Sequence, residues 1–380
     1  MDPSMTRTEE KMFLRSLFFI VASMLAVNGY GETLESVRQL FEIYHRFSGE
    51  IEVLSTDDTK EIDNVLKRTE PKRLAVRKAL DKALTERKPD KNLPSPLFAE
   101  DDVAPFTYYF AVERAFAKRS LQQGKPDDVV ESIRYVYRFA EELTASGSLE
   151  LRITAARCRL QMLESAQSLL YHPLCRREHH KELHKIFDEQ INHRTTDTVI
   201  WARYREEGKQ FFADITKRGL DKMVSPNLLK ELAETPAFRE YEKAAVERIA
   251  RDQLVFQRII EVIVESSEVP FFKRQAVLRQ LDSDLREQRG SATEPVFAVL
   301  LLREVSSTMR LFAQERSGIE TAHIALSVAL EGNRNRLKKM NFLTGNDYEI
   351  RLIPDGVMCT YEGNIKPFYV LYRVEKGFAE

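Results

Sequence analysis

The chain has 380 residues, and its 58 basic and 59 acidic side chains give a formal net charge of −1. Such a balanced charge gives no electrostatic reason to expect nucleic acid or an anionic membrane as a partner. Three cysteines are too few for a disulfide-built scaffold, and the length suits one extended domain or two compact ones.

The N-terminal segment has the pattern of a secretory signal. An apolar run at 17–27 follows Lys11 and Arg15 and precedes a glycine-containing stretch at 28–31. The run is shorter than the roughly 20 apolar residues that cross a bilayer, and its flanks are typical of a cleaved signal peptide. We therefore predict a signal peptide at 1–31, with an uncleaved N-terminal anchor as the alternative. The mature protein would be periplasmic or extracellular, and tethered to the membrane if the signal stays uncut.

Helical periodicity dominates the rest of the chain. From Val129 to Leu143, apolar residues recur every three or four positions, with Pro126 at the start and Gly147 after the end, where these residue types favour helix termini. The pattern predicts helices at 33–47, 71–86, 102–122, 127–145, 149–171, 174–192, 196–217, 226–233, 236–265, 269–288, 294–316 and 318–340.

Charged side chains are predicted to occupy the outer faces of these helices. Arg152 and Arg159 lie beside the apolar stripe that contains Cys158, which places them on other faces of their helix. The neighbouring carboxylates Glu141 and Glu142 point about 100° apart on a helix. We therefore expect them to be solvated rather than to share a proton-transfer site.

The pattern changes near the C-terminus, where strands replace helices. At 348–352 apolar and charged residues alternate, which is the period of a half-buried strand. Further strands are predicted at 357–361 and 368–374, after two glycine-containing turns. Three strands need a covering layer, and the helix predicted at 318–340 is the expected one.

These elements predict a mainly α fold, an irregular multi-helix bundle or array with a small C-terminal antiparallel β-meander. The predicted organisation is a signal peptide at 1–31, a small N-terminal helical segment at 32–88, a proline-containing linker at 89–101, a main helical body at 102–317, and a unit of one helix and three strands at 318–380.

Three segments of this C-terminal unit carry a family resemblance. They are the long helix around 321–330, the Phe-Leu-Thr-Gly stretch at 342–345, and the aromatic strand at 368–374. Together they resemble the C-terminal unit of exported, mostly helical, uncharacterised bacterial proteins of planctomycete-type secretomes, whose tails are similar to the globular part of type II secretion pseudopilins. The chain departs from that pattern because the Tyr-Pro segment after the helix is missing and Phe342-Leu343 replaces an Asp-Pro. The resemblance implies export and a docking role, and it carries over no catalytic residue.

One segment concentrates possible metal ligands. Cys175 shares it with five of the seven histidines of the chain, His172, His179, His180, His184 and His193. On a helix, His180 and His184 lie one turn apart on the same face, as do Cys175 and His179, a spacing that lets two side chains reach one ion. His179, His180, His184 and Cys175 are therefore a candidate zinc or copper site, which Glu178, His172 or a residue of a neighbouring helix would complete. The competing interpretation is an exposed polar helix without a cofactor, since Glu182 does not fit the His-Glu-x-x-His pattern.

The cysteines and aromatic residues have simpler interpretations. If a disulfide forms in an oxidising compartment, the predicted pairing is Cys158–Cys175. The alternative for Cys158, which lies in an apolar stripe, is a buried and unreactive thiol. The same is expected of Cys359 in its strand. Core packing rather than a ligand groove is expected for the aromatic group Phe106, Tyr108, Tyr109, Phe110 and Phe116.

No catalytic residue is assigned, because the chain has no nucleophile elbow, phosphate-binding loop, dinucleotide motif or Cys-x-x-Cys pair. We therefore predict an exported, non-enzymatic structural or partner-binding protein without a cofactor. Its partner would be another envelope or secreted protein, bound through the unit at 318–380, with no nucleic acid and no membrane contact beyond the N-terminal signal. The alternative is a metal-binding protein or metal-dependent hydrolase that uses the histidine cluster at 172–193.

Overall fold

A computed structural model describes most of the chain from residue 59 onward. The described residues are 54, 59–86, 104–145, 148–192, 194–224, 226–233, 236–288, 294–302, 305–331, 340–361 and 367–371. The signal peptide predicted at 1–31, the helix at 33–47, the linker at 89–101 and His193 lie outside them.

The fold is mainly helical and ends in a small three-stranded antiparallel sheet, which confirms the predicted fold class. The helices are α1 (Thr59–Glu86), α2 (Ala104–Gln122), α3 (Pro126–Ala145), α4 (Leu149–Tyr171), α5 (Arg177–Asn192), α6 (Asp197–Arg218), α7 (Leu220–Met223), α8 (Pro226–Ala233), α9 (Pro236–Ser266), α10 (Phe271–Gln288), α11 (Val296–Leu302) and α12 (Val305–Glu331). The strands are β1 (Glu349–Ile353), β2 (Gly356–Thr360) and β3 (Phe368–Leu371).

The clearest differences from the predicted boundaries lie in α1, α11 and α12. The helix predicted at 294–316 is divided between α11, which ends at Leu302, and α12, which begins at Val305. α1 begins at Thr59 and continues through Pro71, where the predicted helix starts. α12 continues through Gly318, where a break between two helices is predicted. A Cβ at this glycine would lie 2.9 Å from the Leu163 side chain of α4, so the glycine permits close packing of the two helices instead of ending one.

The described residues form two compact units. The inserted unit contains the described residues of 196–269 and 274–309, and the composite unit contains all the others. The second unit is called composite because its described residues come from three chain segments, 30–195, 270–273 and 310–380, of which the short one lies between the two segments of the inserted unit. The helical body predicted at 102–317 is thus shared between two units, and the segment predicted at 318–380 belongs with the helices that precede residue 196.

In the composite unit, α3 packs against α2, α4 and α5. Its predicted apolar stripe is fully buried, with Val129, Ile133, Val136, Ala140 and Leu143 all at 0% exposure. The aromatic residues of α2 surround Phe139 of α3, with the ring centroids of Tyr109 and Phe110 at 5.2 and 5.5 Å. The expected core packing of this aromatic group is confirmed for its members Phe106, Tyr108, Tyr109 and Phe110.

A buried ion-pair network joins α1 to α2 in the composite unit. Arg77 donates from Nε and Nη2 to the two carboxylate oxygens of Glu113 at 2.8 and 2.7 Å, and Arg73 donates to Glu113 at 3.3 Å. The hydroxyl of Tyr109 also donates to this carboxylate, at 2.9 Å. Glu113 is 0% exposed, so these partners replace the water that a buried carboxylate loses.

A second buried network joins α4 to α12. Arg152 donates to Glu315 Oε2 at 2.5 Å, and Arg159 donates to Glu315 Oε1 at 2.8 Å. The prediction that both arginines lie on outer faces is wrong, because they are 0% and 1% exposed. Burial alone would raise the pKa of Glu315, but the two arginines outweigh it and lower that pKa to about 2.

The same network reaches the end of the first segment of the composite unit. Arg159 also donates to Glu141 Oε2 at 2.6 Å, and Glu141 Oε1 accepts from both the backbone N–H and the hydroxyl of Thr195 at 3.0 Å. The expectation that Glu141 and Glu142 are solvated is wrong, since the Glu141 side chain is 22% exposed and Glu142 is 7% exposed. Arg159 thus ties together residues from the first and the last chain segment of the unit.

The inserted unit is built around aromatic side chains. α9 packs against α6, α8 and α11, and the rings of Phe212 and Phe256 lie 5.7 Å apart between α6 and α9. Phe297 of α11 lies 5.5 Å from Tyr241 and 5.8 Å from Phe211. A Cβ at Gly208 would lie 2.2 Å from the Phe256 ring, so glycine is required for this approach of α9 to α6.

Asp252 is a buried carboxylate within this aromatic core. Its Oδ2 accepts from the backbone N–H of Phe297 at 2.7 Å, in the first turn of α11. Burial raises the pKa of Asp252 to about 6, although its hydrogen bonds act in the opposite direction. The carboxylate satisfies an N–H that has no partner within the helix.

The strand order of the C-terminal sheet is β1-β2-β3, with both neighbouring pairs antiparallel. The strands match the three predicted ones to within three residues at each end. In the register, Ile350 lies opposite Cys359, and Cys359 lies opposite Phe368. These residues share one face of the sheet with Val357 and Val370.

Candidate functional site

The turn before β1 fixes the sheet to α12. The Asn341 side-chain oxygen accepts from the backbone N–H groups of Leu343 and Thr344, both at 2.9 Å, and from the Ser317 hydroxyl of α12 at 3.3 Å. Gly345 closes this turn with a φ of +82°, a conformation that side chains with a Cβ rarely adopt. The turn therefore sets where β1 starts relative to the helix.

A second contact orients the start of β1. The hydroxyl of Tyr348 donates to Glu320 Oε2 of α12 at 2.7 Å, and both side chains are buried. Arg316 donates to the other oxygen of Glu320 at 3.3 Å and lies over the Phe342 ring at 4.0 Å. Burial and the neighbouring carboxylate raise the pKa of Tyr348 above its usual value, so this phenol stays protonated and keeps donating.

One face of the sheet is covered. Val357, Cys359 and Val370 are each 0% exposed and Phe368 is 7% exposed, and β3 packs against α4. Burial raises the pKa of Cys359 to about 12, so at neutral pH this thiol is protonated and a poor nucleophile. The expectation of a buried, unreactive Cys359 agrees with this environment.

The β3 edge of the sheet is closed by a glutamine of α4. The backbone N–H of Tyr369 donates to Gln167 Oε1 and the Gln167 amide donates to the Tyr369 carbonyl, both at 2.8 Å. The primary amide thus imitates one residue of a neighbouring strand. An edge that is paired in this way is less available to another chain.

The β1 edge is open by comparison. Among the described residues, β1 pairs only with β2. Ile353 and Gly356 flank a two-residue turn, so they form a hydrogen-bonded pair, and such pairs alternate along an antiparallel ladder. The backbone groups of Ile350 and Leu352 therefore point away from β2. Leu352 is also 49% exposed at this edge, although it shares the covered face with buried Val357.

The predicted histidine cluster is divided among separate contacts. The backbone N–H of Arg176 donates to His179 Nδ1 at 2.8 Å, and His179 Nε2 lies 3.0 Å from Asp127 Oδ1. Because Nδ1 accepts, Nε2 carries the proton and donates to the carboxylate. Both ring nitrogens of His179 are therefore engaged in joining the turn before α5 to the start of α3.

His184 contacts α12 instead. Its Nε2 lies 2.9 Å from the Ser327 hydroxyl, which itself donates to the carbonyl of His323 at 2.8 Å, so Nε2 of His184 is the donor in this contact. The ring of His184 stacks on His323 at 4.5 Å, and His323 lies 3.3 Å from Asp188. The spacing of His180 and His184 does not reveal these partners, since they lie on another helix.

His180 of α5 is buried at 8% exposure, and the expected exposed polar helix is wrong for its face of α5. Cys175 is also buried, at 5% exposure, but it lies before α5 begins at Arg177 and so is not on that helix. Burial lowers the pKa of His180 to about 4, and His179 and Arg177 add to this effect. Within the described part of the chain, no group of three or more histidine, cysteine or acidic side chains is arranged to hold a metal ion. The four candidate ligands are thus not brought together into one site.

The structure has all three cysteines as buried free thiols, so the predicted Cys158–Cys175 bond is not formed. Cys158 lies inside α4, thirteen residues before the helix ends at Tyr171. At 1.5 Å per residue this length of helix rises about 20 Å, and the three residues between Tyr171 and Cys175 are too few to return to Cys158 within disulfide distance. Burial also raises the pKa of Cys158 well above the usual range, in agreement with an unreactive thiol.

Comparison of the chain with protein-family models gives no match, and comparisons with curated proteins and with solved structures give no significant match. In the part of the chain that the structure describes, no helix combines the length and apolar character needed to cross a bilayer. The candidate site therefore rests on the geometry of the C-terminal sheet. Sequence patterns did not indicate Gln167, because no helical or strand spacing relates residue 167 to a strand some 200 positions later.

Proposed function

We propose that this chain is an exported, non-enzymatic protein that binds a partner through the C-terminal sheet of the composite unit. The observation that carries the proposal is the contrast between the two sheet edges. Gln167 occupies the β3 edge, whereas β1 presents outward-pointing backbone groups and a half-exposed leucine. Unpaired strand edges bind extended chains by adding a strand, with backbone hydrogen bonds for affinity and side chains for specificity.

The polar residues around the sheet support a structural role for this region. Glu320 accepts from both Tyr348 and Arg316, and Asn341 holds the turn. Each of these contacts fixes the position of β1 on α12. A strand whose backbone is fixed before binding loses less conformational entropy on association than a flexible one, which favours recognition at this edge.

The proposal includes export, on the basis of the signal-like segment at 1–31 and the resemblance of the C-terminal unit to exported bacterial proteins. Cell fractionation followed by N-terminal sequencing tests it. We expect a mature chain that starts at Glu32 in the periplasm or the medium. An intact N-terminus in the membrane fraction would favour the anchor, and an intact chain in the cytosol would contradict export.

Site-specific photo-cross-linking tests binding at β1. A photoreactive residue at position 352 should yield a covalent adduct in the producing cells. The matched control is position 74, because Leu74 on α1 is 48% exposed and Leu352 is 49% exposed. Adducts from position 352 alone would support the proposed surface. Equal adducts from both positions, or none from position 352, would contradict it.

A further inference from the structure

We propose that the partner of β1 is β1 of a second copy of this chain, paired antiparallel with Ile350 opposite Ile350 across a two-fold axis. The two three-stranded sheets would then join into one sheet of six strands. This inference rests on the proposed function and names the partner of that edge. Its evidence is the direction of the backbone groups, the order of the charges along β1 and the exposure of Leu352.

The backbone directions restrict the registers that are possible. The outward-pointing groups belong to Ile350 and Leu352, and by the same alternation to Tyr348. In an antiparallel pair, a hydrogen-bonded position requires outward-pointing groups on both strands. A slip by one residue would set an outward-pointing residue against an inward-pointing one, so only registers that keep this alternation can form.

The charges select one register among those that remain. With Ile350 opposite Ile350, Glu349 of each copy lies opposite Arg351 of the other, which gives two opposite-charge pairs related by the axis. In the two neighbouring permitted registers, Glu349 faces Glu349 or Arg351 faces Arg351. Opposite charges directly across a strand pair are favourable, and like charges are unfavourable. In the single chain these two exposed side chains already pair with each other on one face of β1.

Leu352 supports the same register. It lies on the covered face of the sheet, but it is 49% exposed because β1 has no further strand beside it among the described residues. In the proposed pair it lies opposite Tyr348 of the second copy, on the same face. Directly opposite residues have Cβ atoms about 4.5–5.5 Å apart, so pairing would place the leucine beside Tyr348 of the second copy and reduce its exposure.

Five residues per strand make a small interface, so the self-association should be weak and should depend on protein concentration. Analytical ultracentrifugation of the full chain over a concentration series tests this expectation. Glu349→Arg places Arg opposite Arg at both pairs, and Arg351→Glu places Glu opposite Glu. We expect each substitution to weaken dimerisation about tenfold or more.

Two further samples separate pairing at β1 from a general effect of charge. The double variant Glu349→Arg/Arg351→Glu exchanges the charges and should restore dimerisation. An equimolar mixture of the two single variants should form heterodimers, because every facing pair is then opposite in charge. Far-UV circular dichroism and thermal unfolding of each variant should match the original chain, since the two side chains are 50% and 62% exposed.

A chain that stays monomeric at every concentration would overturn the inference, as would dimers that both single variants leave unchanged. Failure of self-pairing can be distinguished from failure of the proposed partner binding at β1. If the chain is monomeric while position 352 still gives an adduct whose mass is not that of two copies, partner binding at β1 stands and self-pairing is wrong. If position 352 gives no adduct at all, both proposals fail.

Discussion

The two units of the molecule both contain packed aromatic rings, but they differ in the contacts that join helices distant in sequence. The composite unit uses buried ion pairs, in which Arg152 and Arg159 meet Glu315 from positions 163 and 156 residues away in sequence. The inserted unit uses a core of aromatic rings, in which Phe297 contacts Phe211 and Tyr241. The first kind of contact is directional and the second is not.

This difference follows the path of the chain. The composite unit must bring together the described residues of its two long segments, 30–195 and 310–380, which the inserted unit separates in sequence. A carboxylate that accepts from two arginines, one through each oxygen, permits few wrong registers. Buried ion pairs contribute little net stability compared with apolar residues of the same size, because the charges lose their hydration. We infer that the network around Glu315 specifies how the two segments assemble more than it stabilises them.

Breaking the Glu315 network should have the largest effect on stability. Glu315→Gln leaves two buried arginines without their carboxylate, and we expect the free energy of unfolding to fall by about 3–5 kcal/mol. Urea unfolding followed by far-UV circular dichroism measures the change. The matched control is Glu164→Gln, which breaks an ion pair with Arg114 whose side chains are 47% and 51% exposed, and there we expect a change of about 0–1 kcal/mol.

A triple variant sharpens this prediction. Arg152→Met/Arg159→Met/Glu315→Leu removes the three fully buried charges together, and Glu141 keeps its two hydrogen bonds from Thr195. The variant should therefore recover most of the stability that Glu315→Gln loses. Because Trp201 is the single tryptophan and lies buried in the inserted unit, its fluorescence reports on that unit alone. If Glu315→Gln shifted the fluorescence transition as far as the circular dichroism transition, the two units would unfold together and the comparison would fail.

Acid should weaken the composite unit through His180. Its pKa is about 4 in the folded chain against 6.5 for the free side chain, so the unfolded state takes up the proton first as the pH falls. The contribution of His180 to the free energy of unfolding is therefore fully present above pH 6.5. It decreases by about 3 kcal/mol as the pH falls towards 4. In His180→Gln the decrease between pH 6.5 and pH 4.5 should be smaller, as measured by urea unfolding at each pH. An unchanged slope in the variant would contradict the prediction.

The inserted unit should respond to acid in the opposite direction. The pKa of Asp252 is about 6 when folded against 3.8 for the free side chain, so the folded state holds the proton more tightly. The raised pKa of Asp252 therefore contributes about 3 kcal/mol to the free energy of unfolding at low pH. This contribution is lost as the pH rises through 6. Unfolding followed by Trp201 fluorescence measures it, and Asp252→Asn should remove the dependence because its amide oxygen still accepts from Phe297. If Asp252→Asn keeps the pH dependence of unfolding, another titrating group causes it.

The sequence pattern predicted much of what lies within a single element. The period of α3 located its buried stripe from Val129 to Leu143, and alternation at 348–352 located β1. The burial of Arg152 was missed, because helical spacing shows which residues share a face but not what that face contacts. The sequence does not predict the contacts of the histidine cluster for the same reason, since the partners of His179 and His184 come from α3 and α12.

Gly208 tests the aromatic packing of the inserted unit, with the smallest expected effect. In Gly208→Ala the new Cβ would lie 2.2 Å from the buried Phe256 ring, and overpacking of this kind costs about 1–3 kcal/mol. Alanine favours the α-helix over glycine by about 1 kcal/mol, which offsets part of that cost. We expect a net loss of up to about 2 kcal/mol, seen as a shift of the Trp201 fluorescence transition to lower urea.

The control for Gly208→Ala is Ala213→Ser at an exposed position of the same helix, where we expect a change within about 0.5 kcal/mol. If Gly208→Ala instead stabilised the unit, helix propensity would outweigh the contact with Phe256. The approach of α9 to α6 would then not depend on the glycine. The aromatic core of the inserted unit would then be adaptable. The ion pairs of the composite unit are directional, and a similar shift of their helices would leave a buried charge unpaired.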